Sequence, residues 1–170
     1  MKIIGICGSL REGSYNKIIL NYIGDELLKD IDFKIFDINY PLYNADINIS
    51  NDLIMKQNDI KDADGIIIVT PEYNHSIPGV LKNFLDWVSL SEVKPFDNKK
   101  VAIVSASLGS LGGVRCQMDL REVLRCLNAK LIANPEVLIG SVHNKIDENG
   151  YNDEKGKELL KELVNQLINK

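Results

Sequence analysis

The chain has 170 residues, 45% hydrophobic and 26% charged, which is material for one globular domain and excludes a disordered or fibrous chain. A formal net charge of −4 excludes a surface built to neutralise nucleic-acid phosphates. Three cysteines without CxxC or Cys/His spacing exclude a disulfide framework and a zinc site, and no apolar run approaches the roughly 20 residues that a bilayer crossing needs.

The first predicted strand is Lys2–Cys7, and the apolar run before Gly8-Ser9 is too short for a signal peptide, so a cytoplasmic protein is expected. The segment Gly8–Asn16 leaves this strand and enters a helix predicted over Asn16–Lys29. Gly8 and Gly13 permit tight turns, the hydroxyls of Ser9 and Ser14 can donate to oxyanions, and Arg11 offers a planar fork of donors. With the free N–H groups of the following helix, these residues read as a phosphate site. No Gly-Lys-Ser/Thr follows, so it is not a Walker loop, and the G-x-G-x-x-G dinucleotide fingerprint is absent. The bland alternative is a turn whose Ser14 merely caps the helix.

A second strand is predicted over Phe33–Asp37, followed by an Asn/Asp-rich loop, Asn39–Ile49, and a helix over Asn51–Asp62. Gly65–Thr70 reads as a strand covered on both faces. It breaks into Pro71-Glu72-Tyr73-Asn74, whose backbone groups suit the polar rim of a planar heterocycle and whose Tyr73 supplies an aromatic wall. A helix over Gly79–Leu90 and a strand over Val101–Ala106 follow. Then comes the glycine-rich run Ser107–Gly113, where backbone can approach a ligand closely.

The remaining elements are a helix over Gly113–Leu127, a short strand over Lys130–Ile132, an irregular stretch over Gly140–Asn152 and a final amphipathic helix over Asp153–Ile168. Strands alternating with helices imply an α/β parallel sheet with right-handed crossovers. Five strands and five helices fit a flavodoxin-like doubly wound five-stranded parallel sheet of order 2-1-3-4-5, with helices on both faces; a competing strand order starts from the same pattern. In such a sheet the three unusual segments converge at the carboxyl ends of the strands.

At these residues the sequence resembles the NADPH-dependent FMN reductase family, which includes flavin-dependent quinone, chromate and azo-dye reductases. Gly8-Ser9-Leu10-Arg11 with Ser14 and Asn16 matches its phosphate-loop motif. Pro71–Asn74 with Ser76, Pro78-Gly79, Leu81-Lys82-Asn83 and Asp86-Trp87 matches its second signature, and Gly112-Gly113-x-Arg115-x-Gln117-x-x-Leu120-Arg121 its third. The resemblance spans nearly the whole chain. It implies one FMN per chain, with phosphate on Ser9, Arg11, Ser14 and Asn16, Tyr15 beside it, the ring on Pro71, Glu72, Tyr73 and Asn74, and Ser107 and Gly109 closing the other side.

It further implies hydride transfer from NAD(P)H through the flavin to a small-molecule acceptor, a homodimer or homotetramer, and no catalytic side chain and no metal. A flavodoxin-type electron carrier and a non-enzymatic flavin-binding regulator are the competing readings. Position 75, commonly glycine in the family, is His75, expected to line the entrance of the flavin site. Glu72 is expected to keep its carboxylate in a local hydrogen bond. Arg115 is expected to pair with a carboxylate such as Glu136, within the chain or across a subunit contact. All three cysteines are expected to be packing residues.

Overall fold

The computed structural model describes residues 1–169. Strands β1 (Lys2–Cys7), β2 (Asp32–Phe36), β3 (Gly65–Thr70), β4 (Lys100–Ala106) and β5 (Lys130–Leu131) form a parallel sheet in the order β2-β1-β3-β4-β5. A further strand, β6 (Val137–Ile139), pairs with β4 above β5, so one edge of the sheet is a strand split in two. Of the strand orders compatible with the alternation, the sheet adopts 2-1-3-4-5.

Strand periodicity divides the core cleanly. Ile3, Ile67, Val69, Ala102 and Val104 face one side, where α1 (Tyr15–Tyr22) and α5 (Glu154–Ile168) bury Ile19, Leu20, Leu160, Leu163 and Leu167. Ile4, Ile6, Ile66, Ile68, Val101 and Ile103 face the other, under α2 (Asn51–Asp62), α3 (Gly79–Ser89) and α4 (Val114–Cys126). Every residue of β3 is buried, as its unbroken apolar run predicts.

Three elements differ from expectation. The first helix was expected to run to Lys29; it is α-helical only to Tyr22 and continues as a π-helical segment over Ile23–Leu27. Within that segment Gly24 lies under Phe33, and a Cβ there would stand 2.7 Å from the ring. The Gly140–Asn152 stretch is not irregular: it holds a 3₁₀ turn (Val142–Asn144) and a hairpin of β7 (Ile146–Asp147) and β8 (Gly150–Tyr151). Gly150, at φ +105°, closes that hairpin. Third, β6 follows Pro135 and was not anticipated; it carries the chain back to the mouth of the sheet.

The Asn39–Ile49 loop is irregular as expected, yet firmly seated. Asn83 on α3 donates to the carbonyls of Tyr40 and Pro41 and accepts from the Tyr43 N–H, and the Trp87 indole donates to Pro41. Trp87 is thus a packing and loop-holding residue. Among the described residues no helix is long and apolar enough to cross a membrane.

Candidate functional site

The carboxyl ends of β1, β3 and β4 open onto a cavity of about 490 Å³, within the range of small-molecule sites. Ten of the eleven expected site residues line it: Ser9, Arg11, Ser14, Tyr15, Asn16, Pro71, Glu72, Tyr73, Ser107 and Gly109. Asn74 does not. Ala106, Leu108 and Val142 complete the lining and were not singled out in the sequence.

Gly8 starts the first loop because nothing larger fits: a Cβ there would sit 2.2 Å from Thr70 Oγ1 and 2.6 Å from Thr70 Cβ. The Arg11 N–H then donates to Ser9 Oγ (3.3 Å), and the Ser14 N–H donates to the Arg11 carbonyl (3.1 Å). That turn places Ser14 as the N-cap residue of α1, in extended backbone, only 3% exposed. Its hydroxyl makes no capping bond to its own helix, which rejects the bland reading of Ser14 and leaves the N–H groups of Tyr15 and Asn16, both cavity-lining residues, without a cap. Arg11 is exposed, its guanidinium 5.3 Å from the centroid of the Tyr15 ring.

Asn16 is buried, and both polar atoms of its amide bond the backbone of Ala106. Nδ2 donates to the Ala106 carbonyl and Oδ1 accepts from the Ala106 N–H, both at 3.1 Å. Its side chain therefore clamps the first loop to the end of β4 at the floor of the cavity.

The second wall, Pro71–Ser76, is a tight hairpin in which Tyr73 and Ser76 exchange backbone hydrogen bonds of 3.0 Å. Its two central residues, Asn74 (φ +49°) and His75 (φ +69°), occupy the left-handed region, as a type I′ turn requires. This explains why glycine suits position 75. His75 does not line the cavity either; it is solvent-exposed, with Nδ1 3.7 Å from Glu72 Oε1. His75→Gly should stabilise the chain by about 0.5–1 kcal/mol, the usual cost of a left-handed non-glycine residue. Urea unfolding checks this; a destabilised variant would refute it.

Glu72 does not bond locally. Its Oε2 accepts from the N–H groups of Arg115 and Cys116, 43 and 44 residues away, at the start of α4. The Cys116 thiol donates to the Pro71 carbonyl at 3.3 Å, and burial pushes that thiol up to about 12, so it stays a protonated donor. Cys7 is buried and likewise raised by desolvation, whereas Cys126 is exposed, contrary to expectation. Within the chain the expected Arg115–Glu136 pair is not formed: Arg115 is exposed, and Glu136 lies 3.4 Å from Arg121 instead.

The third wall is laced to the chain after β6. Ser107 N–H donates to the Ile139 carbonyl, Val142 N–H to the Ser107 carbonyl and Ser141 N–H to the Gly109 carbonyl, at 3.0–3.1 Å. Below it, Ser105 Oγ donates to the Gly112 carbonyl (2.6 Å) and accepts from Gln117 Nε2 (3.0 Å). Tyr73 and Leu108, 47% and 63% exposed, form an apolar rim on opposite walls. The arrangement offers hydroxyls, a guanidinium and a helix N-terminus at one end and a slot between two backbone walls at the other. That is the donor set and shape for a phosphate carried on a planar ring. Among the described residues no cluster of His, Cys, Asp or Glu could hold a metal ion.

Comparison with known proteins agrees with this geometry. The family model for NADPH-dependent FMN reductase matches residues 1–144. NAD(P)H-dependent FMN reductase PA1204 of Pseudomonas aeruginosa is 37% identical over 172 residues, covering 98% of this chain and 93% of its own. A quinone reductase of Escherichia coli is 37% identical over 157 residues, covering 86% of this chain and 81% of its own. Among solved structures, FerB, a flavoenzyme NAD(P)H:(acceptor) oxidoreductase from Paracoccus denitrificans, superposes with a TM-score of 0.87 at 25% identity, covering 98% of this chain and 95% of that one.

Proposed function

The chain belongs to the NADPH-dependent FMN reductase family and is an FMN-dependent NAD(P)H:acceptor oxidoreductase, and from that premise we propose that it holds FMN in the cavity above β1, β3 and β4 and serves quinone-type acceptors. One observation carries the placement: a buried N-cap serine that caps nothing, facing a cavity shared with two other strand ends. In this reading Ser9, Arg11, Ser14 and the N-terminus of α1 bind the phosphate. Tyr15 stacks against Arg11 and keeps its fork oriented, and Asn16 frames the loop from below.

The ring lies between Pro71–Tyr73 and Ser107–Gly109. Bound there, the flavin supplies two-electron transfer from nicotinamide to acceptor, and the protein's part is to bind, orient and shield it. No general base is assigned; Glu72 is occupied as a helix cap. Tyr73 and Leu108 make the rim apolar, which suits a planar uncharged acceptor and matches the quinone reductase named among the relatives. The reading takes the chain as one FMN-binding domain, because both core layers flank one sheet. It places the domain in the cytoplasm, in keeping with three unpaired cysteines.

It includes assembly into dimers or tetramers, for which the exposed apolar residues Leu42, Ile47, Ile54, Leu90 and Val93 provide a surface. The deciding experiment adds NADPH anaerobically to the FMN-loaded protein: the flavin absorbance should bleach and return on adding a benzoquinone. An electron carrier or sensor would stay coloured. Sedimentation of the same sample should give at least twice the chain mass; a monomer would remove the assembly from the proposal.

A further inference from the structure

The two walls of the ring slot come from loops some thirty residues apart, yet both are built onto the first turns of α4. Gly113, the N-cap residue of that helix, sits at φ +84° and has no side chain, so α4 brings no cap of its own. Glu72 supplies the acceptor, Oε2 taking the N–H of Arg115 at 3.0 Å and of Cys116 at 3.1 Å. The same wall is fastened at two more points, by the Cys116 thiol on the Pro71 carbonyl (3.3 Å) and by Ser76 Oγ donating to Asp119 Oδ2 (2.6 Å). On the other side the 107–113 segment runs straight into α4, and Ser105 holds its Gly112 carbonyl. A Cβ on Gly113 would lie 3.1 Å from Ser105 and 3.6 Å from Glu72 Cβ, so the walls meet there without spare volume.

We propose that Glu72 is a positioning residue that sets the separation of the two ring-binding walls by gripping the N-terminus of α4. The inference rests on the reading of this cavity as the FMN site. Two features favour positioning over simple helix capping. The cap comes from the ligand wall itself rather than from a neighbour of the helix, and Glu72 lines the cavity it would hold open. The carboxylate meets the positive end of the helix dipole, which strengthens both bonds and offsets its charge beside the slot.

Riboflavin separates ring from phosphate, since it has the ring and lacks the phosphate. Ligand-free protein would be titrated with FMN and with riboflavin by flavin fluorescence, in the parent, Glu72→Ala, Glu72→Gln and Arg11→Ala. Glu72→Ala should lose about tenfold in affinity for both flavins and alter the visible spectrum of the bound ring, about tenfold being the order expected for one misplaced contact surface. Glu72→Gln keeps an oxygen acceptor and should recover most of the loss. Arg11→Ala should weaken FMN and leave riboflavin unchanged.

If Glu72→Ala lowers thermal stability but binds both flavins like the parent, Glu72 only caps a helix and the inference falls. A loss confined to FMN would also overturn it, by placing the effect at the phosphate. Where Glu72→Ala fails to fold, Glu72→Asp carries the same test, because it keeps the charge and loses the reach. A parent that binds neither flavin would overturn the site assignment itself, a result distinct from either failure of the Glu72 variants.

Discussion

Asn16→Asp should lose about 3 kcal/mol of stability at neutral pH, a large fraction of what holds a domain of this size. The substitution is nearly isosteric, so packing is not the cause. The amide makes one donating and one accepting bond with the two backbone groups of Ala106, and it is 3% exposed. A carboxylate can still accept from the Ala106 N–H but must turn its second oxygen on the Ala106 carbonyl, pairing two acceptors in a dry place. Protonation restores a donor, so the penalty should shrink as pH falls into the carboxylate range; the sign follows because the folded state favours the protonated acid. Because Asn16 ties the first loop to the third wall, flavin affinity should fall in parallel. Denaturant unfolding at about pH 7 and about pH 4.5, on either side of a raised carboxyl pKa, checks both claims. An Asn16→Asp protein as stable as the parent at neutral pH would show that the clamp is dispensable.

Gly8→Ala carries the second large effect. Its backbone is not in the left-handed region, so conformational strain is not the argument; space is. The added methyl would stand 2.2 Å from Thr70 Oγ1 and 2.6 Å from Thr70 Cβ, while Gly8 N–H is bonded to the Val69 carbonyl at 2.8 Å. Either β1 and β3 part at their carboxyl ends or the loop shifts, at a cost of roughly 1–3 kcal/mol for overpacking. Both responses move Ser9 and Ser14, so FMN binding should drop at least as steeply as stability. Adding Thr70→Ala should not rescue it, since that removes the hydroxyl and leaves the offending Cβ. Thermal unfolding and a flavin titration of the single and double variants decide the matter, and a Gly8→Ala protein as stable as the parent would contradict the steric account.

What could be read from the residues depended on whether the signal was local. The unbroken Gly65–Thr70 run and the Asn51–Asp62 helix follow from periodicity, and the parallel sheet from the alternation of strands with helices, whereas periodicity leaves the strand order open. The cavity-lining residues of the first loop were legible because a serine, an arginine and a helix start fall within a few positions. What was missed is short or distant. Val137–Ile139 is too brief to show a period, and with it Val142 escaped notice as a lining residue. The 150s hairpin was signalled by Asn149-Gly150, which went unused. The backbone partners of Asn16 and Glu72 are long-range, some 90 and 43 residues away, and no local pattern announces them. His75 was placed at the cavity mouth by motif position, whereas a turn with two left-handed residues directs it outward.

The split edge strand also governs how the molecule behaves in a crowd. β5 offers two residues and β6 three, and between them the chain leaves the sheet through Pro135, which has no N–H to give, and Glu136, whose side chain is largely in water. An incoming strand would find its ladder broken before it gained three consecutive rungs. The opposite edge, β2, presents Asp32 and Lys34 to solvent, charges that a stacked sheet would have to bury. Among the described residues both rims thus carry features that work against cross-β growth.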